Sequence, residues 1–434
     1  MTCGKATEYS QVIKWTDNIN INSLSIPLLS IDNGEQERIN PFTNNLARLN
    51  LIFSFSTSVF SFALFLFLET HGIPIIYGGI GLSSGQLIAL LLLFPQGRAV
   101  DKGYSFVLMI IGSLLFASLL IILYFSVATS DIFIIIVPAS IAGIVAVEST
   151  FRTSLNSFIS KSAKANILGS NFSRIIVAET IGSAISFAIL AIGAYSSYIS
   201  VVILGSGVGL FLFTVLVFFV LDSKNRDFIR SEERRTPRPG LRESISSLKG
   251  KMGFVSTLIA SKTFMNVGSI AFSFFYIPTG LYLGVSPVLT FSVLLACYVT
   301  GALISRVGEE YIDEKVHNGR VLVILIMLFD LLVFGAILLS LLYTDELLFL
   351  AAAIATIPSP ILISGAMAYE TNVIGKEHRG LFSAVQRTVF GSTAVFVTIG
   401  LTALFILGPF LVWSVSSLSS FIALIIALML RNPN

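Results

Sequence analysis

A lysine and three smaller polar residues share one helical face inside a long apolar stretch. Asn266, Ser269 and Ser273 follow Lys262 at spacings of four, seven and eleven residues. An ionisable side chain at membrane depth is costly and marks a functional site by default. The row predicts a polar path on which Lys262 attracts an anion. In the alternative interpretation, Lys262 extends to the aqueous surface and the smaller residues bond between packed helices.

A second polar row occurs in the first apolar stretch. Ser54, Ser58 and Ser61 follow Asn50 at offsets of four, eight and eleven residues, again on one helical face. Such a row can line a wet path or bond between helices. We predict that Asn50, Ser54 and Ser58 contact the same solute as Lys262.

Two acidic residues also lie deep in apolar stretches. Glu179 shares a face with Ser183 and Ser186, and a carboxylate in that setting can exchange a proton at neutral pH. An ion pair with Arg174, Arg387 or a neighbouring helix is the alternative.

Asp330 has apolar neighbours, so we expect a structural partner or a protonated acid rather than solute contact. In the next apolar stretch, Pro358 and Pro360 predict a break in the helical backbone.

Metal, redox and nucleotide chemistry have little support in the sequence. The chain has two cysteines, Cys3 and Cys297, and three scattered histidines, which predicts neither a disulfide framework nor a metal site. No phosphate-binding Gly-x-x-x-x-Gly-Lys-Ser/Thr loop occurs. We therefore predict no cofactor, no enzymatic activity and no nucleic-acid partner.

The composition is that of an integral membrane protein. Of 434 residues, 55% are hydrophobic and 12% are charged, and the mean hydropathy is +0.89. Apolar stretches of about 20 residues predict helices that cross a bilayer. The window rule gives about twelve spans, near residues 47–68, 78–96, 105–127, 132–151, 169–194, 199–221, 254–278, 286–305, 320–342, 347–369, 381–407 and 410–430.

The distribution of Lys and Arg predicts the orientation of these spans. The short loops after the second, fourth, eighth and tenth spans carry Lys and Arg, whereas the alternate loops carry neither. By the positive-inside rule, we predict that both termini are cytoplasmic. We also predict that the protein lies in the plasma membrane. The predicted regions are a cytoplasmic tail (1–45), a six-helix bundle (46–221), a basic cytoplasmic linker near anionic lipid (222–252), a second bundle (253–430) and a cytoplasmic C-terminus (431–434).

A charged segment lies between the second and third spans, and a similar segment lies at the end of the eighth span. The first copy, Pro95 to Ser105, contains Gly97-x-x-x-Asp101-Lys102-Gly103, and its glycines predict a tight turn. The second copy, Gly301-Ala-Leu-Ile-Ser305-Arg306-Val-Gly308, has serine in place of the acid. The motif resembles the loop between the second and third helices of the major facilitator superfamily, whose usual form has one more residue before the second glycine.

This resemblance implies an all-α fold of twelve helices in two pseudo-repeated bundles, with the first and seventh helices lining a central cavity. It also implies that Asp101 meets the cytoplasmic start of the eleventh helix near Gly380 to Ser383 and locks the outward-open state. The residues that we expect to take part in gating are Gly97, Arg98, Asp101, Lys102, Glu148, Arg152, Gly301, Ser305 and Arg306.

We therefore predict a monomeric secondary transporter that works by alternating access. Glu179 would handle a coupling proton and Lys262 would attract an anionic or carboxylate-bearing solute. Efflux of lipophilic compounds is an alternative, favoured by the 12% aromatic content. A non-transporting receptor or scaffold with the same fold is another, and it should show a packed interior where a carrier has an open polar pocket beside Lys262 and Asn50.

Overall fold

The chain is helical throughout the part that the structure describes. This computed structural model describes residues 41–101, 104–127, 133–162, 168–196, 198–233, 252–315, 319–374 and 379–430, and no strand occurs in these ranges. The helices are α1 (Pro41–Thr70), α2 (Ile75–Asp101), α3 (Ser105–Ser126), α4 (Phe133–Ser162), α5 (Leu168–Tyr195), α6 (Ile199–Glu233), α7 (Met252–Tyr282), α8 (Pro287–Lys315), α9 (Gly319–Ser340), α10a (Glu346–Thr356), α10b (Ser359–Ile374), α11 (Arg379–Leu407) and α12 (Pro409–Leu428).

Among the described residues, 12 segments are long and apolar enough to cross a membrane, with α10a and α10b forming one of them. This confirms the predicted span count. Large apolar side chains are exposed on the outer surfaces of α3, α6, α9 and α12, for example Leu115, Leu212, Leu332 and Leu418. Such a surface is stable against lipid and would be unfavourable in water.

The spans form two bundles, α1 to α6 and α7 to α12, within one unit of residues 46–434. In the first bundle α4 packs against α2 and α3, and in the second α12 packs against α7 and α9. Contacts between the bundles join α5 to α8 and α10b, and α2 to α11. We call this boundary between the two bundles the seam.

Glycines allow several of these helices to approach closely. A methyl group on Gly85 of α2 would lie 2.7 Å from Ala142 O of α4, and one on Gly81 would lie 2.9 Å from Pro138 O. The two glycines are four residues apart, which is the small-residue spacing that packs membrane helices together. The segment Gly81 to Gln86 therefore positions α2 against α4.

Gly182 provides the closest approach between α1 and α5. A methyl group there would lie 2.2 Å from Leu51 O, a backbone atom that cannot rotate away. We expect Gly182→Ala to lower the free energy of unfolding by about 1 to 3 kcal/mol through overpacking. The control is Gly209→Ala in α6, where nothing lies within 4 Å of the added methyl group. Equal melting temperatures for the two purified variants would contradict this prediction.

The first helix of each bundle ends in the same backbone turn. Gly72 after α1 and Gly284 after α7 have φ values of 67° and 78°. Beyond each glycine, a backbone N–H reaches back to the helix, from Ile73 to Leu68 O at 2.8 Å and from Val285 to Gly280 O at 2.9 Å. This pattern is a glycine C-cap of the Schellman type. The matching turns are consistent with the internal repeat of the fold.

The segment from Pro95 to Asp101 is helical, so the prediction that it forms a turn is wrong. Pro95 lies inside α2, which continues to Asp101, and Gly97 has open space around it. The helix persists because residues beyond the proline pack onto the bundle. Gln96 donates to Thr150 Oγ1 of α4, and Val100 is buried. Lys102 and Gly103 lie outside the described residues.

Two other segments differ in length or continuity from a simple span. Helix α6 continues to Glu233, so the first part of the predicted linker is helical, and residues 234–251 lie outside the described ranges. The tenth span breaks between Thr356 and Ser359, which confirms the break predicted from Pro358 and Pro360. A methyl group on Gly301 of α8 would lie 2.7 Å from Thr356 O. Gly301 therefore packs α8 against this break.

Candidate functional site

The two ends of the bundles differ in the charge of their loops. Lys and Arg lie in or next to the connections after α2, α4, α8 and α10b, and the alternate connections have neither. We call the first end the basic face and the second end the neutral face.

One stripe along α1 is less buried than the rest of the helix. Arg48, Ile52, Phe55, Ser58 and Ser61 are partly exposed, whereas every other residue from 46 to 68 is buried. Spacings of three and four residues place the stripe on a single helical face. The rest of this range is packed, so this stripe is the accessible face of α1.

The predicted polar row on α7 also lies on an accessible face. Lys262, Asn266, Ser269 and Ser273 are all partly exposed. The rings of Phe62 and Phe272 are 6.2 Å apart and those of Phe65 and Phe275 are 5.2 Å apart. Because α1 and α7 run in the same direction, this register places Ser58 and Ser269 at similar depth.

Two residues predicted to contact solute lie instead in the packing between α1 and α5. Asn50 and Ser54 are each 1% exposed. Asn50 Nδ2 donates to Ile175 O at 3.0 Å, and Ser54 lies 3.5 Å from Asn50 Oδ1. Their polar groups serve helix association, because a hydrogen bond between helices satisfies them without water. Ser58 is nearer the accessible space and shares a 2.8 Å hydrogen bond with Ser183 of α5.

Phenylalanines close the seam toward the neutral face. Phe65 of α1 stacks against Phe275 of α7 with a centroid separation of 5.2 Å, and Phe275 stacks against Phe405 of α11 at 5.0 Å. Phe62 contacts Phe272 one turn nearer the basic face. We call these five residues the aromatic closure. It joins the bundles through apolar contact alone, because phenylalanine rings carry no hydrogen-bonding group.

An ion-paired cluster lies on the basic side of this closure. Arg152 Nε contacts Glu148 Oε1 at 2.8 Å, and Arg152 Nη1 contacts Glu179 Oε1 of α5 at 2.7 Å. The side chains of Arg152 and Glu179 are each 35% exposed. Glu179 lies one turn from Ser183, the partner of Ser58. One partly exposed guanidinium thus bridges two carboxylates, a geometry suited to the arginine fork.

The second bundle contributes two groups close to this cluster. Arg387 of α11 reaches α4, where it donates to Ser149 O at 3.3 Å and to Thr153 Oγ1. It also interacts electrostatically with Arg152. Tyr298 of α8 packs against Phe187 of α5 and lies near Glu179. The charged cluster therefore faces the seam and not the interior of one bundle.

Lys262 is ion-paired. Its ammonium contacts Glu370 Oε1 of α10b, and the side chains are 17% and 8% exposed. This arrangement differs from both sequence interpretations, because Lys262 neither stands as a free positive charge on the path nor extends to the basic surface. A buried ion pair of this kind is neutral overall, which weakens the attraction of Lys262 for an anion.

The predicted gating residues separate into three groups. Glu148 and Arg152 bind each other and Glu179. Gly301 packs against the break in α10, and Ser305 is 1% exposed. The side chains of Arg98, Asp101 and Arg306 lie outside the described part of the structure, as do Lys102 and residues 380–381 and 383 on the α11 side. The predicted contact between Asp101 and α11 remains a prediction.

Sequence reasoning missed three members of the site. Glu370 falls one residue beyond the predicted end of the tenth span, and Arg387 was considered only as a partner of Glu179. Counting every ionisable residue within two turns of a span end would have found both. Tyr298 gave no signal, because a tyrosine in an apolar stretch commonly packs in the core.

Comparison with known proteins gives one family and one fold. Residues 46–398 match the sequence family described as the Major Facilitator Superfamily. The fold is similar to a solved structure of the MFS proton:xylose symporter XylE bound to 6-bromo-6-deoxy-D-glucose, with a TM-score of 0.68 and 12% sequence identity. That match covers 91% of this chain and 95% of the other chain. No curated protein matches the chain.

Proposed function

Because the chain belongs to the Major Facilitator Superfamily, and is therefore a membrane transporter rather than an enzyme, we propose that it moves a small solute along the seam by alternating access. The observation that carries this proposal is the cluster of Arg152, Glu148 and Glu179, which lies partly exposed between the bundles at membrane depth. Charged groups in such a position mark substrate or ion pathways. A scaffold would have no need to maintain them beside accessible space.

The arrangement of contacts favours one transport state. The aromatic closure joins the bundles toward the neutral face. The cluster around Arg152 lies partly exposed on the basic side of the closure. If the basic loops are cytoplasmic, as the positive-inside rule predicts, this state faces the cytoplasm of a cell with the protein in its plasma membrane. Rocking of the bundles would then separate the phenylalanines and expose the same residues to the other side.

Glu179 is the residue that we propose for proton coupling. Its carboxylate binds Arg152, which also binds Glu148. Protonation of Glu179 would remove one negative charge and leave part of the guanidinium free for a solute. Proton and solute binding would then be linked through Arg152. The similar fold of a proton:xylose symporter is consistent with this coupling.

The solute that we propose is a small anion, in particular a carboxylate. Arg387 contributes a positive charge at the seam, and the partners that the structure gives it are the neutral oxygens of Ser149 and Thr153. A carboxylate would offer Arg387 a stronger, bidentate partner. Asn266 and Ser269 lie on the partly exposed face of α7 and could hydrogen-bond the rest of the solute.

A thermal-shift panel on the purified full-length protein tests the solute class. We expect small carboxylates to raise the melting temperature of the wild type, because binding to the folded state adds stability. Neutral sugars and lipophilic cations should have no such effect. The shift should be lost in Arg387→Gln and retained in Glu69→Gln, an exposed carboxylate at the neutral end of α1. Stabilisation by lipophilic compounds alone would instead support the efflux alternative.

Uptake of the stabilising compound into proteoliposomes tests the coupling. We expect a proton gradient to increase uptake by about tenfold and a protonophore to abolish the increase. Glu179→Gln should transport without dependence on pH or not at all. Equal uptake by Glu179→Gln and wild type at every pH would contradict the proton role, and absence of any transported compound would favour a receptor or scaffold.

A further inference from the structure

A buried carboxylate oxygen without a partner lies in α9, on the outer side of the second bundle. Asp330 is at the middle of this helix, which runs from Gly319 to Ser340. Its Oδ2 atom is inaccessible to solvent and has no hydrogen-bond partner. Asp330 shares a helical face with Met327, Phe334 and Ile337, all buried. The carboxylate therefore turns toward the helices against which α9 packs.

Two serines of α12 lie opposite this carboxylate. The ring of Phe334 stacks against Trp413 with a centroid separation of 6.1 Å, and Arg320 Nη2 donates to Leu428 O at 3.1 Å. Helices α9 and α12 are antiparallel, so this register places Asp330 opposite Ser417.

Ser420 follows one turn later on the same face of α12. The hydroxyls of Ser417 and Ser420 are both buried without a hydrogen-bond partner, and Ser420 is 0% exposed. The other buried serines nearby are satisfied. Ser416 donates to Val412 O and Ser419 donates to Phe264 O. Three unsatisfied oxygens therefore lie within about one helical turn of each other along the α9–α12 interface.

No counter-ion for Asp330 occurs among the described residues. Helix α12 contains no ionisable residue. Lys262 of α7 is paired with Glu370 of α10b. Among the described residues, the other ionisable groups on α9 and on the helices packed against it are Arg320, Tyr276, Tyr282, Glu346 and Tyr369, of which Arg320 alone is cationic. Arg320 is ten residues from Asp330, or about 15 Å along the helix, and donates to the end of α12.

We propose that Asp330, Ser417 and Ser420 form a site for a small monovalent cation, either a proton or Na⁺. An isolated negative charge in an apolar bundle is too costly to persist, so a positive charge must accompany it. One carboxylate balances one monovalent cation, whereas a divalent ion would leave an excess charge. Hydroxyl and carboxylate oxygens are the ligand type that hard cations prefer. The site lies outside the seam and is distinct from Glu179.

Thermal unfolding of the purified full-length protein tests this site without knowledge of the transported solute. Two comparisons distinguish the cations. The first compares NaCl with choline chloride at fixed ionic strength and pH 8, and the second compares pH 6 with pH 8 in choline chloride. We expect either sodium or the lower pH to raise the wild-type melting temperature by about 2 °C or more. In the proton case stability falls as pH rises, because the folded state holds a proton that the unfolded chain releases.

Asp330→Asn should remove this response, and Asp345→Asn, an exposed acid before α10a, should retain it. Equal responses of Asp330→Asn and wild type to both sodium and pH would overturn the proposal and indicate that the oxygens bind only water. If Asp330→Asn does not fold, the double variant Ser417→Ala/Ser420→Ala decides. We expect the midpoint of the stabilisation in this variant to change by about threefold in sodium concentration or by about half a pH unit. An unchanged midpoint would overturn the proposal.

Discussion

Arg152→Ala is expected to reduce transport by about tenfold or more. The substitution removes the single positive charge that holds Glu148 and Glu179 together. Two adjacent carboxylates would then repel each other or take up a proton, and either outcome disrupts the proposed link between proton and solute. The measurement is uptake into proteoliposomes of the compound that stabilises the wild type most strongly.

The conservative variant Arg152→Lys distinguishes charge from geometry. An ammonium keeps the positive charge but lacks the planar fork that contacts both carboxylates at once. We expect intermediate uptake and a changed pH profile. Glu69→Gln serves as the control, since this exposed acid lies at the neutral end of α1. Wild-type uptake and an unaltered pH profile in Arg152→Ala would contradict the role given to the cluster.

Loss of one partner of the Lys262 and Glu370 pair is expected to cause the largest loss of stability. Either Lys262→Met or Glu370→Gln leaves the other charge mostly buried and unpaired, at a cost of about 3 to 5 kcal/mol. The double variant removes both charges and should recover most of the stability, because a neutral pair of similar volume needs no compensation. The contact between these residues joins α7 to α10b.

Thermal unfolding of the four proteins measures this coupling. We expect the double variant to melt close to the wild type and well above both single variants. Additive losses would contradict the pairing. Transport by the double variant is a further readout, because a Lys262 that binds the solute directly would remain essential even when stability is restored.

Helix number and helix faces could be predicted because they depend on local patterns. Apolar length gives the spans, and the half-buried row from Lys262 to Ser273 follows from helical periodicity. The prolines at 358 and 360 give the break in the tenth span. Each of these features depends on residues that are neighbours in sequence.

The contact partners of the polar and charged side chains could not be predicted, because they depend on how the helices are rotated relative to each other. Asn50, Ser54 and Ser58 share one helical face that contacts α5, yet Asn50 and Ser54 are buried and Ser58 is partly exposed. Glu370 pairs with Lys262 across about 100 residues of sequence, which no local pattern reports. The helical segment after Pro95 depends on packing of Gln96 and Val100, which outweighs the turn signal of the nearby glycines.

The aromatic closure also bears on the kinetics of the cycle. Separation of the closure at the neutral face would expose phenylalanine side chains of both bundles to water. Exposure of apolar surface to water increases the heat capacity. The step that separates the phenylalanines should therefore have a curved temperature dependence, and ionic strength should affect this apolar contact little.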